Sequence, residues 1–352
     1  MVKINKIKLN NFRNFKNCEI IFRSNCNIFF GNNGCGKTNL LECISLLGKG
    51  RGFRNSNIEN LVFKKENNFI IQSEFELNQE LYNIKIYSDK KEDKYKKITS
   101  INDEVSSEAS SFLHKSLSFL FFLPEMERLF VSSPSFRRNF LDKLIFTENK
   151  TYNTLINKYK KNIIERSKLL QSNNYDDTWL ATIEKEISIL GIEIYKNRSN
   201  KLFDLNDQIS SINKLNQYPF NIKFGIVDQF FQKDINIDKY LSSLYEFRDI
   251  DARLGGSRVG PHKSDFEVII NDDVNASQLS TGQQKTIILM ILIAQCNYLI
   301  NFKNIEPILL FDEICSHLDD INRKIILDLI NKFKIQFFFT GTDKSLFSFM
   351  ST

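Results

Sequence analysis

The stretch "GNNGCGKT", Gly31 to Thr38, constrains this chain more than any other. It fits G-x-x-x-x-G-K-[ST] at every fixed position. The apolar run "CNIFF" precedes it, and "TNLLECISLLG" follows, with Leu40, Leu41, Ile44 and Leu47 at helical spacing and Gly48 as a stop. A strand, a glycine-rich turn and a helix start in that order build a phosphate cradle. The glycines let backbone N–H groups turn inward, and the helix N-terminus adds a favourable field. Gly31, Asn32, Asn33, Gly34, Cys35 and Gly36 would wrap the phosphates of ATP. Lys37 would neutralise the β- and γ-phosphates, and the Thr38 hydroxyl would ligate Mg2+. A chance glycine-rich turn is the competing reading, and the flanking strand and helix weigh against it.

Such a loop needs an acid at a second strand end. "ILLFDE" supplies it: Ile308 to Phe311 read as a buried strand, with Asp312 and Glu313 at its end. Asp312 is the expected metal-side acid, and Glu313 the expected general base or the group that polarises the attacking water. An apolar run ending in two acids is a weak signal alone. It strengthens beside a phosphate loop and before the amphipathic "DDINRKIILDLINKF" and the apolar "KIQFFFTGTD". Thr38 and Asp312 are 274 positions apart. A compact domain of this kind takes ~100–200 residues, so something is inserted between its halves.

The insertion shows in the punctuation. From about Ser135 to Asn213, Gly191 is the only glycine or proline. Ile156, Ile163 and Leu170 recur every seven residues. Beyond the breaker "QSNNYDD", Ile183, Ile187, Leu190 and Ile194 step by four, three and four, and Leu205, Ile209 and Ile212 resume the rhythm. Two antiparallel helices in a short coiled-coil-like arm fit this pattern, and so does a plain helical lobe. Strand-like alternation in "FIIQSEFELN" and "LYNIKIYS" precedes the insertion, and α/β punctuation returns from about Asp251. The expected architecture is an α/β phosphate-loop head made of residues 1–134 and 245–352, interrupted by a helical arm or lobe at 135–244.

Composition sets bounds. Of 352 residues, 42% are apolar and 26% charged, ordinary globular usage, and the net charge of +6 permits a polyanionic partner without requiring one. The six cysteines form no Cys-x-x-Cys pair and do not cluster with the three histidines, so a zinc site or disulfide framework is not expected, and reducing cytosol fits best. "MVKINKIKLNNFRNF" has no secretory core, and the apolar run "TIILMILIAQ" is about half the ~20 residues of a membrane span. A cytoplasmic protein without membrane attachment is the expectation.

"LSTGQQK", Leu279 to Lys285, is a second helix start with a small hydroxyl residue and an unhindered backbone, suited to a γ-phosphate. An ordinary capped helix, with Ser280 or Thr281 as cap, is the bland alternative. The stretch resembles the L-S-G-G-Q signature of ATP-binding-cassette (ABC) ATPases, with Thr281 in place of the first glycine. In that superfamily the signature lies too far from its own phosphate loop to reach the same nucleotide. The resemblance implies a head-to-tail homodimer in which Ser280, Gly282 and Gln283 cap the ATP of the other copy. "SHLDD" resembles the cassette D-loop, which would put Asp319 at that interface.

Further stretches narrow the resemblance. "LNNFRNF", "GNNGCGKTNLLECISLLGKGRGFR", "FLPEMERLFVSSPSFRRNFLD", "RVGPHKSDF", "LSTGQQK" and "LLFDEICSHLDD" occur together in the order of the RecF family of ABC/SMC-like ATPases. That resemblance implies DNA binding at duplex beside single-strand gaps, ATP-driven dimerisation with slow, DNA-stimulated hydrolysis, and recombinase loading with the mediators RecO and RecR. Leu123 and Met126 stand where the family has polar residues, Lys285 where it commonly has Arg, and Asp312-Glu313 where Asp-Asp is frequent. Lys49, Arg51, Arg54, Arg137 and Arg138 are candidate contacts to DNA phosphates, which need only charge and reach. His262 carries no derivable catalytic role and is expected to be structural. Two other classes stay in view. A transporter's ATPase subunit would have a shorter gap between loop and acids and a switch histidine. A chromosome-organising structural protein would have an arm of hundreds of residues.

Overall fold

The computed structural model describes residues 2–91, 94–172, 176–216, 220–228, 236–315 and 318–350. The chain divides into two compact units, Met1–Glu127 with Ile288–Thr352, and Arg128–Ile287. In chain order the first unit begins with strands β1 (Val2–Phe12), β2 (Phe15–Ile21) and β3 (Cys26–Phe30) and helix α1 (Lys37–Leu46). Strands β4 (Ile70–Leu77), β5 (Glu80–Lys91) and β6 (Lys94–Ile101), helix α2 (Ser107–Ser116) and strand β7 (Phe119–Phe122) follow. The second unit holds α3 (Pro134–Glu148), α4 (Tyr152–Gln171), α5 (Asp177–Asn216), β8 (Ile222–Val227), α6 (Ile237–Glu246), α7 (Arg248–Leu254), β9 (Asp265–Ile270) and β10 (Val274–Asn275). Helix α8 (Thr281–Lys303), β11 (Ile308–Phe311), α9 (Asp320–Lys332) and β12 (Phe337–Gly341) complete the described elements.

The first unit has two sheets. One is antiparallel, in the order β2-β1-β4-β5-β6, and the other is parallel, in the order β3-β12-β11-β7. β11 and β12 are buried throughout, as parallel strands covered on both faces must be, which is why they read as unbroken apolar runs. The Phe311 and Phe339 rings stack across the pair at 4.7 Å. Gln336 ties the two sheets together. It is fully buried, its Oε1 accepting the Ile4 N–H and its Nε2 donating to the Ile4 carbonyl, both at 2.8 Å. In the parallel sheet β12 sits between β3 and β11, so three strand ends meet along one carboxyl edge, where ligands of such sheets collect.

In the second unit α5 is a single helix of 40 residues, roughly 60 Å at 1.5 Å per residue. The heptad rhythm read from Ile183 to Ile212 therefore belongs to one helix. Asn162 and Arg166 of α4 bond Glu186 and Glu184 of α5, a falling register that makes the two helices antiparallel. The pair does not project as a bare arm. Along α5, Arg198 meets Asp142 of α3, and Gly191 makes room for Tyr240 of α6: a Cβ there would lie 2.3 Å from the Tyr240 ring. Further on, Asn206 closes the free edge of β8, its amide bonding both the N–H and the C=O of Phe224.

The compact units divide the chain differently from the punctuation of the sequence. Compact unit and sequence reading part at 287/288 instead of 244/245, because β9 pairs with β8 along its whole length and α6 and α7 pack on α4 and α5. Beneath that packing, Arg166, completely buried, donates to Glu184, Asp251 and the Leu244 carbonyl, and Arg248 adds a second cation to Glu184. Buried charge is tolerated when each member is paired and hydrogen-bonded. Among the described residues α8 alone is long and apolar enough to cross a membrane, with mean hydropathy 1.5. Since 72% of that window is buried inside the protein, it serves as a core helix.

Candidate functional site

β3 delivers the chain into the loop at Gly31, and α1 leaves it at Lys37. Gly34 and Gly36 have φ of 83° and 107°, a region that side chains avoid. Gly36 is constrained twice, since an added Cβ would also lie 2.5 Å from the Asn14 amide and 2.7 Å from the Phe15 ring. Lys37 is 7% exposed, and its ammonium donates to the carbonyls of Gly31 (2.7 Å) and Asn32 (3.1 Å). The cation thus lies folded into the cradle it would share with phosphates.

The acidic strand end meets this loop. Thr38 Oγ1 donates to Asp312 Oδ1 at 3.0 Å, and the Asp312 N–H is anchored on the Phe122 carbonyl of β7 at 2.9 Å. Glu313 is half-buried, in the left-handed region at φ 52°. No protein hydrogen bond or ion pair holds its carboxylate among the described residues. The oxygens of Thr38 and Asp312 form a hard donor pair that fits Mg2+. No cluster of three His, Cys, Asp or Glu able to hold a metal occurs among the described residues.

A second layer escapes sequence reading. The β1–β2 turn places Asn14 against the loop, where its Nδ2 donates to the Cys35 carbonyl (3.1 Å) and its Oδ1 accepts from Asn39 (2.8 Å). Glu42 on α1 is completely buried, held by a fork from Arg13 (2.8 and 2.7 Å), by Ser56 (3.0 Å) and by Arg54 (3.4 Å). "LNNFRNF" thus braces the phosphate loop and its helix from behind. At the far end of α1, Lys97 donates to the carbonyls of Leu46 and Gly50, which favours the helix terminus. Its burial beside carbonyls alone pulls its pKa down to about 8.

Ser280 caps α8 and forms a capping box with Gln283: the Gln283 Oε1 accepts from the Ser280 N–H (3.0 Å) and hydroxyl (3.1 Å), and the Gln283 N–H returns to Ser280 Oγ (3.3 Å). Thr281 and Gly282 are the first helical residues, where right-handed φ suits any side chain, so Thr281 in place of glycine costs no backbone strain. Asp319 caps α9 through the Asn322 N–H at 2.8 Å, while Ser316 and His317 of the D-loop stretch lie outside the described residues. Leu123 and Met126 are core residues, 1% and 4% exposed, so the segment brings no polar group there.

Three of the five candidate DNA contacts are engaged within the fold. Arg137 spends its guanidinium on Asp265 and on the Phe130 and Ser132 carbonyls, and Arg138 donates to the Ser264 carbonyl at 2.7 Å. Both are bound within the second unit because β9 starts beside α3. Arg54 is committed to Glu42 and Asn39. Lys49 and Arg51 are exposed.

His262 is structural. The Ser257 carbonyl can only accept, so Nε2–H donates to it (3.0 Å), leaving Nδ1 to accept from Tyr159 (2.7 Å), which accepts in turn from Tyr240 (2.8 Å). Burial pushes the His262 pKa down to about 4 and keeps the ring neutral. Gly260 is required beside it, since a Cβ would lie 2.0 Å from the Tyr240 hydroxyl.

Residues 3–352 match the profile of the RecF/RecN/SMC N terminal domain. The DNA replication and repair protein RecF of Rickettsia massiliae (strain Mtu5) is 34% identical over 346 residues, covering 97% of this chain and 94% of its own. The chain belongs to the RecF family. RecF of Rickettsia felis (strain ATCC VR-1525 / URRWXCal2) is also 34% identical, over 97% of this chain and 93% of its own. The solved structure of the recombination mediator protein RecF-ATPrS in the RecFOR pathway matches with TM-score 0.85 at 26% identity, covering 98% and 94% of the two chains. The Smc head domain with an extended coiled coil from Pyrococcus furiosus matches at TM-score 0.52 and 18% identity, over 99% of this chain and 92% of its own, and shares the fold. The six RecF-family stretches thus lie in a chain with the RecF fold from end to end.

Proposed function

We propose that this ATPase of the RecF family acts in DNA replication and recombinational repair as an ATP-dependent, DNA-bound dimer. The observation that carries the reading is the meeting of Thr38 with Asp312, next to Glu313, at the end of one parallel sheet. The backbone of Gly31 to Thr38 binds the triphosphate of ATP. Lys37 exchanges the Gly31 and Asn32 carbonyls for phosphate oxygens. Thr38 and Asp312 hold Mg2+, which when bound neutralises charge on the β- and γ-phosphates. Glu313 takes a proton from the attacking water, or orients it.

Ser280, Gly282 and Gln283 of one copy complete the site of the other, with Asp319 at the same interface. The α8 N-terminus and the Ser280 hydroxyl present donors suited to a γ-phosphate. Lys49 and Arg51 contact DNA phosphates without reading sequence. Gapped or junction DNA as preferred substrate, recombinase loading with RecO and RecR, DNA stimulation of slow turnover and a cytoplasmic location complete the reading. The pathway named for the RecF-ATPrS structure supports the mediators.

ATP turnover and sedimentation, measured together with and without gapped duplex, test it. Wild type should dimerise with ATP and turn over slowly. Glu313→Gln should accumulate an ATP-bound dimer, and Ser280→Arg should bind ATP and stay monomeric. A wild type that remains monomeric with ATP and DNA would sink the reading.

A further inference from the structure

Thr340 is the buried hub of the acidic strand end. It lies on β12, the strand between the phosphate-loop strand β3 and the acidic strand β11, one position beyond the Phe339–Phe311 pair. It is completely buried. Its hydroxyl donates to Asp312 Oδ1 at 2.6 Å and accepts the Glu313 N–H at 2.9 Å. One side chain therefore fixes both acids, one through its carboxylate and the other through its backbone.

The two bonds serve different ends. Asp312 Oδ1 receives two hydroxyls, from Thr38 and Thr340, which set the rotation of the carboxylate. No hydrogen bond from the described residues goes to Oδ2, so that oxygen stays available. Glu313 sits at φ 52°, a backbone conformation that non-glycine residues hold only when their surroundings fix it. The bond from its N–H to Thr340 is such a constraint. It aims the Cα–Cβ bond of Glu313, and hence its carboxylate, relative to Asp312. A valine of the same shape would leave a buried N–H and a carboxylate oxygen without this partner.

We propose that Thr340 is a positioning residue for ATP hydrolysis, holding Asp312 and the Glu313 backbone in one register through a single hydroxyl. The inference rests on the reading of Glu313 as the group that activates water. Thr340 touches neither nucleotide nor water itself and acts through the two acids. A misplacement of about 1 Å in such a group costs on the order of 100-fold in rate.

The test compares Thr340→Val, Thr340→Ala and Thr340→Ser with wild type for kcat and KM of ATP. Amide hydrogen exchange at Glu313 in the nucleotide-free protein is measured alongside. Val and Ala should lower kcat about 10- to 100-fold, change KM little, and speed exchange at Glu313. Ser should restore both kcat and protection. In a Glu313→Gln background, Thr340→Val should add little further loss. Unchanged kcat in a folded Val or Ala variant overturns the proposal, and so does equal loss in Ser and Val, which marks packing alone. If Glu313→Gln keeps wild-type turnover, the reading of Glu313 fails on its own, whatever Thr340 does.

Discussion

Thr38 Oγ1 and Asp312 Oδ1 lie 3.0 Å apart although 274 residues separate them in the chain. The interval is spanned by an inserted unit and closed by a parallel sheet in which β12 stands between the two strands concerned. Removing either oxygen should therefore damage metal-dependent turnover more than folding. Asp312→Asn should bind ATP within a few-fold of wild type and lose about 100-fold or more in kcat, on the scale of other charge-stabilising groups. Turnover over a Mg2+ titration, with nucleotide binding measured separately, checks this. Wild-type kcat in Asp312→Asn would remove the carboxylate from the metal side.

Arg51 and Arg137 are equal candidates for DNA in the sequence, but Arg137 is engaged by Asp265 while Arg51 is exposed. Arg51→Ala should weaken DNA binding at all sequences alike and reduce the slope of log affinity against log salt by about 1, the change expected when one phosphate is no longer neutralised. Arg137→Ala should leave that slope unchanged and lower stability, because Asp265 is deprived of its fork. Salt titrations of duplex binding with urea unfolding of both variants give the answer. A changed slope in Arg137→Ala alone would reverse the assignment.

Residue order makes legible the chemistry carried by local spacing: the phosphate loop, the acidic strand end and the capped helix at Ser280. What it hides depends on strand order and distant packing. A threonine at the end of an apolar strand gives no signal until β12 is seen beside β11. Arg13 and Asn14 stand out only as members of "LNNFRNF", because their partners Glu42 and Cys35 lie 29 and 21 positions away. Punctuation alone does not find the compact-unit boundary at 287/288, since nothing local marks β8 as the partner of β9. An arginine that binds DNA and one that closes an ion pair look alike until its carboxylate is located.

The buried ions of the second unit predict a stability effect. Arg166→Met should destabilise by about 3–5 kcal/mol, since it leaves Glu184 and Asp251 buried without their shared cation. Urea unfolding measures it. A destabilisation of less than about 1 kcal/mol, the size typical of exposed pairs, would show that Arg248 satisfies Glu184 and the Arg258 N–H satisfies Asp251 without the Arg166 cation.

His262 predicts a pH effect of defined sign. Its folded pKa of about 4 lies below the ordinary 6.5, so the unfolded chain takes up the proton first as pH falls. The contribution is intact above pH 6.5, declines between 6.5 and about 4, and amounts to about 3 kcal/mol at most. His262→Gln should unfold in urea with a weaker pH dependence than wild type across that window. Identical pH dependence in the two proteins would contradict a neutral, buried ring.

Mixing two inactive variants tests whether the active site is shared between two copies. Lys37→Ala lacks a working phosphate loop but keeps Ser280, and Ser280→Arg has the reverse defect. Neither should turn over ATP alone. A mixed dimer regenerates one complete site, so the mixture should hydrolyse ATP in proportion to the heterodimer formed. A mixture no more active than its components, or Ser280→Arg turning over alone at the wild-type rate, would contradict the shared site.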